Sequence, residues 1–365
     1  MKLSAPTTPP AAIVTTSPQF TPEDKIALFR GYFRGREDVY AKRWENRAGR
    51  SGYSPDCKHE WDRAFCRKPE MKCADCGNRE LFPFDETVVS RHLNGQLVAG
   101  IYPLLANDSC YFLAMDFDGD TWAADIAAIR ETCAHEKVPA TVERSRSGNG
   151  GHVWVFFSEE VPASLARRLG TAVISKTMAR HCQLGVKSYD RLFPNQDTMP
   201  KGGFGNLIAL PLQKAARQAG NSVFIDEAGT PYPDQWAHLS STRKLTRGET
   251  ETLVGALESA GGKIPARWSP LDEEDEPWAR PPSGKKRFNV NPEDLPAAVE
   301  IVLSNRLYIK TADLPSALIN QLKHLAAFHN PDFYKKQKQR FSTHATPRII
   351  CCAELEGGWL SLPRG

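Results

Sequence analysis

The chain has 365 residues, of which 41% are apolar and 25% are charged. At about 100 to 200 residues per domain, this length predicts two or three domains and excludes a single small module. Lys and Arg number 47 against 43 Asp and Glu, so the net charge of +4 is too small to indicate a polyanionic partner by itself. No uncharged apolar run approaches the roughly 18 residues that cross a bilayer.

The apolar stretch Ala11–Val14 is too short for the core of a signal peptide. We therefore expect a cytoplasmic protein with reduced thiols and no membrane partner. Composition divides the chain into five segments. They are a disordered, Pro- and Thr-rich leader at 1–21, a helical and cysteine-bearing N-terminal unit at 22–85, an α+β core at 86–265, a linker at 266–290 and a small C-terminal α/β unit at 291–365.

The first predicted element is a helix that begins after Thr21, which supplies an N-cap ahead of Pro22 and Glu23. Basic and aromatic residues alternate irregularly over 31–51, and this mixture predicts further helices with a basic face. Such a face suits a solvated surface as well as it suits contact with nucleic acid.

Four of the nine cysteines lie within twenty residues, at Cys57, Cys66, Cys73 and Cys76. In a reducing compartment this clustering favours a metal over disulfides, and four thiolates suit one structural, tetrahedral Zn²⁺. The C-x2-C half is followed by Gly77, which is typical of a zinc knuckle. His59 as a nitrogen ligand, or no metal at all, stays open as an alternative.

The segment from 98 to 240 alternates β-rich runs with helical stretches, which predicts an α+β core. The expected strands are 111–118, 141–144, 153–157, 207–211 and 223–226, and the expected helices are 122–137 and 162–183. In the C-terminal unit, Pro315 begins a helix whose apolar stripe runs to Phe328, and 349–352 suits a terminal strand.

Asp116 and Asp118 end the first of these core strands. Because side chains alternate across a strand, both carboxylates lie on one face, about 7 Å apart at Cα. Such a pair can hold Mg²⁺ ions for phosphoryl transfer. The alternative is a strand that ends in an acidic turn.

A glycine-rich loop follows at Ser147-Gly-Asn-Gly-Gly151, with Arg144 and Arg146 before it and His152 after it. Glycines let backbone amides close around a phosphate, while the hydroxyl, the guanidinium groups and the imidazole add donors, so the segment is a candidate triphosphate cradle. The same letters also describe an ordinary hairpin turn. Further along, Asp190 is a candidate third carboxylate and Arg191 a candidate phosphate contact.

The order of these motifs resembles the archaeo-eukaryotic primase superfamily. The longer segments E-R-S-R-S-G-N-G-G-H-V-W, S-Y-D-R-L-F-P-N-Q-D and G-G-F-G-N-L-I-A-L-P-L-Q look like the primase-polymerases of prokaryotic TOTE conflict systems, with CRISPR-associated primase-polymerases as their relatives. The resemblance covers residues 25–245 densely.

The resemblance implies a two-subdomain catalytic core, an RRM-like sheet plus an α/β unit, preceded by N-terminal helices and a zinc knuckle. It implies Asp116, Asp118 and Asp190 as ligands of two Mg²⁺ or Mn²⁺ ions. The implied nucleotide contacts are Ser147, Gly148, His152, Arg146 and Arg191.

The implied activity is that of a DNA-directed primase-polymerase, which transfers nucleotides from nucleoside triphosphates to a 3′-hydroxyl on a single-stranded DNA or RNA template. The sequence contains no G-x-x-x-x-G-K-[ST] loop, so we do not expect this chain by itself to be an ATP-driven motor. The resemblance implies a helicase partner, joined in cis or acting in trans. A defence role is implied by the resemblance alone. Two alternatives stay open: a catalytically silent nucleic-acid-binding module that recruits a helicase, and a metal-dependent nuclease.

Overall fold

The computed structural model describes residues 20–181, 189–199, 202–260, 292–338, 346 and 349–363. The expected linker at 266–290 and the expected leader up to residue 19 lie outside these ranges. The described helices are α1 Pro22–Tyr32, α2 Glu86–Leu93, α3 Trp122–His135, α4 Ala163–Arg180, α5 Lys214–Gln218, α6 Gln235–Ser241, α7 Arg247–Ala260, α8 Ser316–Leu325 and α9 Pro331–Lys338. None of them is long and apolar enough to span a membrane.

The described strands are β1 Ala41–Glu45, β2 Ser51–Pro55, β3 Ala99–Ile101, β4 Ser109–Asp118, β5 Thr141–Arg144, β6 Gly150–Pro162, β7 Tyr189–Phe193, β8 Ile208–Ala209, β9 Val223–Ile225, β10 Lys244–Leu245, β11 Ile301–Leu303, β12 Arg306–Lys310, β13 Ala327–His329, β14 Ile349–Cys351, β15 Glu354–Glu356 and β16 Trp359–Pro363. They form a central sheet in the order β7-β4-β6-β5-β9, with β10 beside β6, and a smaller sheet β2-β1-β3-β8. In the C-terminal part, β11-β12-β16-β15 and β13-β14 form two further sheets. The predicted α+β class is confirmed as a mixed α/β fold.

The central sheet is covered by helices on one face. A Cβ added at Gly170 of α4 would contact Leu113 and Leu192, and one added at Gly151 of β6 would contact Ile126 of α3. Helix α1 lies against the other face, where Phe33 beyond its end packs on buried residues of β6. The large apolar cluster of the molecule includes residues of the central sheet and of the helices that pack on its two faces.

The expected helices over 31–51 are wrong, because β1 and β2 form an antiparallel hairpin there, with Trp44 opposite Gly52. The turn between β1 and β2 explains why this segment forms a hairpin and not helices. The side-chain oxygen of Asn46 accepts from the backbone N–H groups of Ala48 and Arg50, and Gly49 takes a left-handed φ of 74° that an L side chain rarely adopts. The N-terminal unit is therefore part helix and part sheet.

Helix α1 begins where the sequence predicts. Thr21 accepts from the N–H of Asp24, and the Asp24 carboxylate accepts from the N–H of Thr21, which is a reciprocal capping box. In the core, every expected strand and helix contains a described element, with ends shifted by a few residues. The expected end of α4, at 182–183, lies outside the described residues.

The C-terminal elements form their own apolar cluster and dock on the core. Asn320 of α8 donates to the Met178 carbonyl of α4 at 2.6 Å. Helix α8 ends at Leu325, so Phe328 lies on β13 and not on the expected helical stripe. The strand expected at 349–352 is β14, and β15 and β16 follow it.

His92 joins α2 to the smaller sheet as a fully buried, neutral imidazole. Its Nδ1 accepts from the Ala99 N–H at 3.1 Å, so Nε2 carries the proton and donates to the Pro211 carbonyl at 2.9 Å. Burial lowers the pKa of His92 to about 4. Protonation of Nδ1 would break the bond to Ala99 and place an unpaired charge in the core.

We predict that His92 makes folding sensitive to acid. The unfolded chain binds a proton near pH 6.5 and the folded chain only near pH 4, so the free energy of unfolding should fall as the pH drops through this window, by about 3 kcal/mol in total. In urea denaturation at several pH values, His92→Gln should flatten this slope. The matched variant at the exposed His135, His135→Gln, should keep it; an unchanged slope in His92→Gln would contradict the prediction.

Candidate active site

One face of the central sheet changes from apolar to polar along its strands. On β4 this face carries Phe112 and then Asp116, and on β6 it carries Trp154 and then His152. Phe33 covers the apolar end, with its ring 5.1 Å from that of Trp154. The carboxylates and the imidazole are thereby gathered at the opposite end of the face.

The strand register brings three titratable side chains into one row. Asp116 lies opposite His152, and His152 lies opposite Glu143 on β5. His152 Nε2 is 3.4 Å from Asp116 Oδ1, and His152 Nδ1 is 2.8 Å from Glu143 Oε2. The imidazole thus bridges two carboxylates.

Burial would lower the pKa of His152, but the charges of Glu143 and Asp116, together with their hydrogen bonds, raise it well above its ordinary value. Both ring nitrogens face a carboxylate oxygen, and Nε2 is the one that lies beside Asp116. The imidazole can therefore contact a ligand that enters beside Asp116.

Asp118 lies on the same face, opposite Gly150 at the start of β6. A Cβ added at Gly150 would collide with the Asp118 carboxylate and with the carbonyl of Phe117. Glycine at this position leaves the room in which the carboxylate sits. The D-x-D motif therefore ends a paired strand and is fitted against the glycine-rich segment.

The segment Ser145–Gly150 is the turn of the β5–β6 hairpin. The N–H of Ser145 donates to the Gly150 carbonyl at 2.9 Å, and Gly148 takes a φ of 83°. The exposed Ser147 accepts from the N–H of Asn149 at 3.3 Å. The hairpin-turn interpretation is confirmed, and the turn places the Ser147 hydroxyl at the Asp118 end of the sheet. The triphosphate cradle stays a prediction.

The two arginines of this motif have different surroundings. Arg146 is hydrogen-bonded to Tyr53 of β2, and burial raises the pKa of that tyrosine against the opposing charges of Arg146 and Arg43. Arg146 therefore lies beside β2 of the smaller sheet. Arg144 donates instead to the carbonyls of Gly220 and Gly229, at 3.1 and 2.6 Å, so its guanidinium stabilises the loops that contain these glycines.

The third motif lies on β7, which pairs with β4. Arg191 is opposite Asp116, and the register shifts beside it so that Asp190 occupies an irregular position in the strand. The side chain of Asp190 lies outside the described part of the structure. The guanidinium of Arg191 lies 4.9 Å from the ring centroid of Phe333 on α9, so the C-terminal unit reaches this strand.

A family model described as "TOTE conflict system, Archaeo-Eukaryotic Primase domain" matches residues 24–253, which is more than half of the chain. The chain belongs to this family. The resemblance seen in the sequence is confirmed.

A solved structure also resembles this primase domain. It is the polymerase domain from Mycobacterium tuberculosis Ligase D in complex with DNA, with 16% identity and a TM-score of 0.31 over 68% of this chain and 92% of that one. No curated protein matches the chain.

The four clustered cysteines lie within the matched range of the primase domain. All four thiols are free and half-buried, and Cys57, Cys66, Cys73 and Cys76 line one pocket together with His59. His59 is already engaged, since its Nε2 is 3.4 Å from Glu80 Oε2 and its ring lies 4.5 Å from that of Phe65.

Within the described ranges, no group of three or more His, Cys, Asp or Glu side chains is arranged to hold a metal ion. The cysteine pocket and the polar face of the central sheet nevertheless offer different donor atoms to a metal ion. Thiolates around a half-buried pocket suit zinc, and carboxylates on a polar sheet face suit magnesium or manganese.

Glu143 is the residue of this primase domain that sequence reasoning missed as part of the site. Its signal was present in the sequence, because it is an acidic residue in a short β-rich run and stands opposite a histidine once the hairpin is drawn. In the structure it is 1% exposed and bonded to His152. The alternation of side chains along a strand predicts that such a position is buried, but it does not identify the side chain that the residue contacts.

We predict that Gly150→Ala destabilises the protein. The added methyl group would overpack the site against the Asp118 carboxylate and the Phe117 carbonyl, at a cost of about 1–3 kcal/mol in the free energy of unfolding. Urea denaturation measures the change. Gly31→Ala on α1 is the control, since a Cβ there meets nothing within 4 Å. Equal stability of the two variants would show that the strand end has spare room.

Proposed function

We propose that the chain is a primase-polymerase that transfers nucleotides to a 3′-hydroxyl on a single-stranded DNA or RNA template. The observation that carries this proposal is the convergence of Asp116, Asp118 and His152 at the polar end of one sheet face, beside the Ser145–Gly150 turn. Membership of the primase family supports nucleotidyl transfer as the class of chemistry.

Asp116, Asp118 and Asp190 are the proposed holders of two Mg²⁺ or Mn²⁺ ions. The first two project from one face of β4, and the third lies on the strand next to it. When bound, the ions would supply charge neutralisation at the α-phosphate and at the departing pyrophosphate. The contribution of the chain at Asp116 and Asp118 is to keep their carboxylates side by side on one face of β4.

The proposed triphosphate contacts surround these carboxylates. His152 offers its Nε2 edge and Ser147 its exposed hydroxyl, and Gly148 lies in a turn where a larger residue would press on Asn221. Arg146, in the turn, and Arg191, opposite Asp116 on β7, are proposed to add positive charge. A triphosphate carries more charge than a scissile phosphodiester, so this donor set fits a polymerase better than a nuclease.

The cysteine unit is the proposed zinc knuckle and a proposed contact for the template. Three aromatic side chains project into solvent from it, with Trp61 66%, Phe65 44% and Phe82 38% exposed. Exposed aromatic rings suit stacking with unpaired bases, and the nearby Arg63 and Arg67 suit the backbone phosphates. Lys68 serves the unit itself, because its Nζ lies 2.7 Å from Glu60.

Strand separation is assigned to a helicase partner, in cis or in trans, because the sequence lacks a phosphate-binding P-loop. A role in defence follows from family membership and is part of the same proposal.

We predict that Asp116→Asn and Asp118→Asn each abolish template-dependent nucleotide incorporation while the protein stays folded. Loss of either carboxylate removes charge from the proposed ion site without creating a cavity. The assay uses labelled nucleotides, single-stranded template and Mn²⁺, with and without a primer, and circular dichroism checks the fold.

Asp120→Asn is the matched control, because Asp120 is exposed and lies just beyond the end of β4. It should retain activity. Full activity in both site variants would refute the assignment. Extension only of supplied primers would limit the activity to elongation, and template cleavage by the native chain would identify a nuclease.

We predict one Zn²⁺ per chain, bound by thiolates. Cys73→Ser should lower the zinc content measured by atomic absorption, because a serine hydroxyl is a poor ligand for zinc. His59→Ala should leave the zinc content unchanged, and so should Cys352→Ser, whose thiol lies in the C-terminal unit. Zinc loss in His59→Ala would instead identify the imidazole as a ligand.

A further inference from the structure

Glu143 is a buried carboxylate with an unusually complete set of side-chain donors. It is 1% exposed. Oε2 accepts from His152 Nδ1 at 2.8 Å and from Trp154 Nε1 at 3.1 Å, while Oε1 lies 3.4 Å from Ser222 Oγ. Burial of a carboxylate costs free energy unless such partners satisfy it, so this position is built around the charge.

The bond to Glu143 fixes how His152 faces the site. A carboxylate accepts hydrogen bonds, so Nδ1 carries a proton, and Nε2 is the ring atom left to face Asp116. Trp154 holds the ring from its side, with the centroids 5.9 Å apart and the planes at 78°. Glu143 Oε2 accepts from the rings of both His152 and Trp154. Rotation of the His152 ring would break its hydrogen bond to this oxygen.

The other oxygen of Glu143 connects to the glycine-rich turn. Ser222 Oγ lies beside Oε1, and the N–H of Ser222 donates to the carbonyl of Ser145 at 3.4 Å. Ser145 in turn closes the hairpin through its own N–H. One side chain therefore joins the imidazole and the turn that together form the proposed triphosphate cradle.

We propose that Glu143 is a positioning residue for the incoming nucleotide. It holds the Nε2 edge of His152 and the Ser145–Gly150 turn at the correct separation for one triphosphate, without touching the nucleotide itself. This inference rests on the proposed nucleotidyl transfer and adds to it a residue that acts only through others.

The test compares Glu143→Ala with Glu143→Gln in primer extension with Mn²⁺. The alanine variant leaves three donors without an acceptor, and we expect the KM for nucleotide to rise about tenfold or more. The glutamine variant keeps an amide oxygen for His152 and Trp154, and it should restore part of the affinity. A merely structural role would lower the active fraction and leave the KM of the folded molecules unchanged.

Glu160 provides a matched control at the far end of β6. Its carboxylate also accepts from three side chains, namely Asn107, Ser109 and Tyr111, but it is exposed and remote from Asp116 along the strand. Glu160→Ala should leave the KM for nucleotide at the native value. An equal rise of KM in both variants would overturn the proposal.

Two direct measurements keep the proposal testable if activity is low or if Glu143→Ala folds poorly. Histidine ¹⁵N NMR, assigned with His152→Ala, should show Nδ1 of His152 protonated in the native chain and in Glu143→Gln. Calorimetric titration with nucleoside triphosphate and Ca²⁺ should give weaker binding for Ser222→Ala, which cuts only the link to the turn. Native affinity in that variant, or an unprotonated Nδ1 in the native chain, would contradict the proposal.

The outcomes separate this inference from the function on which it rests. If the native chain extends primers and Glu143→Ala keeps the native KM, the positioning role is wrong and the function stands. If the native chain binds triphosphate without incorporating it, and Glu143→Gln binds better than Glu143→Ala, the positioning role stands and the polymerase assignment fails.

Discussion

The antiparallel pairing of β4 with β6 sets the geometry of the whole candidate site. It places Asp116 opposite His152, with 3.4 Å between Oδ1 and Nε2. It also places Asp118 opposite Gly150, where the absence of a side chain leaves room for the carboxylate. A slip of one residue would send the carboxylates to the face that α3 and α4 cover. The apolar half of the same face, packed under Phe33, opposes such a slip because it would separate Phe112 of β4 from Trp154 of β6, whose rings lie 5.2 Å apart.

Most of the central sheet was predictable from the sequence, because its strands are apolar runs that end in turns or charged residues. The family was predictable for another reason, namely that long ordered motifs carry far more information than a single D-x-D. Periodicity failed over 31–51, where aromatic and basic residues are mixed and the deciding feature is the short turn at Asn46 and Gly49.

The side-chain partners were much less predictable than the strands. Arg144 and Arg146 are two residues apart in the sequence and look equivalent, yet one holds loop carbonyls and the other meets Tyr53. Glu143 is an acidic residue in a short β-rich run, but only the hairpin register shows that it lies opposite His152. Such assignments depend on long-range contacts, which local patterns do not encode.

The stacking of Arg191 on Phe333 has a consequence for how the protein is divided in the laboratory. The family match ends at residue 253, whereas Phe333 is almost fully buried and lies far beyond it. A truncated chain that stops at the family boundary would leave the ring-facing side of this guanidinium in water. Because this contact lies beyond residue 253, we expect a chain that includes α9 to be the better choice for enzymology.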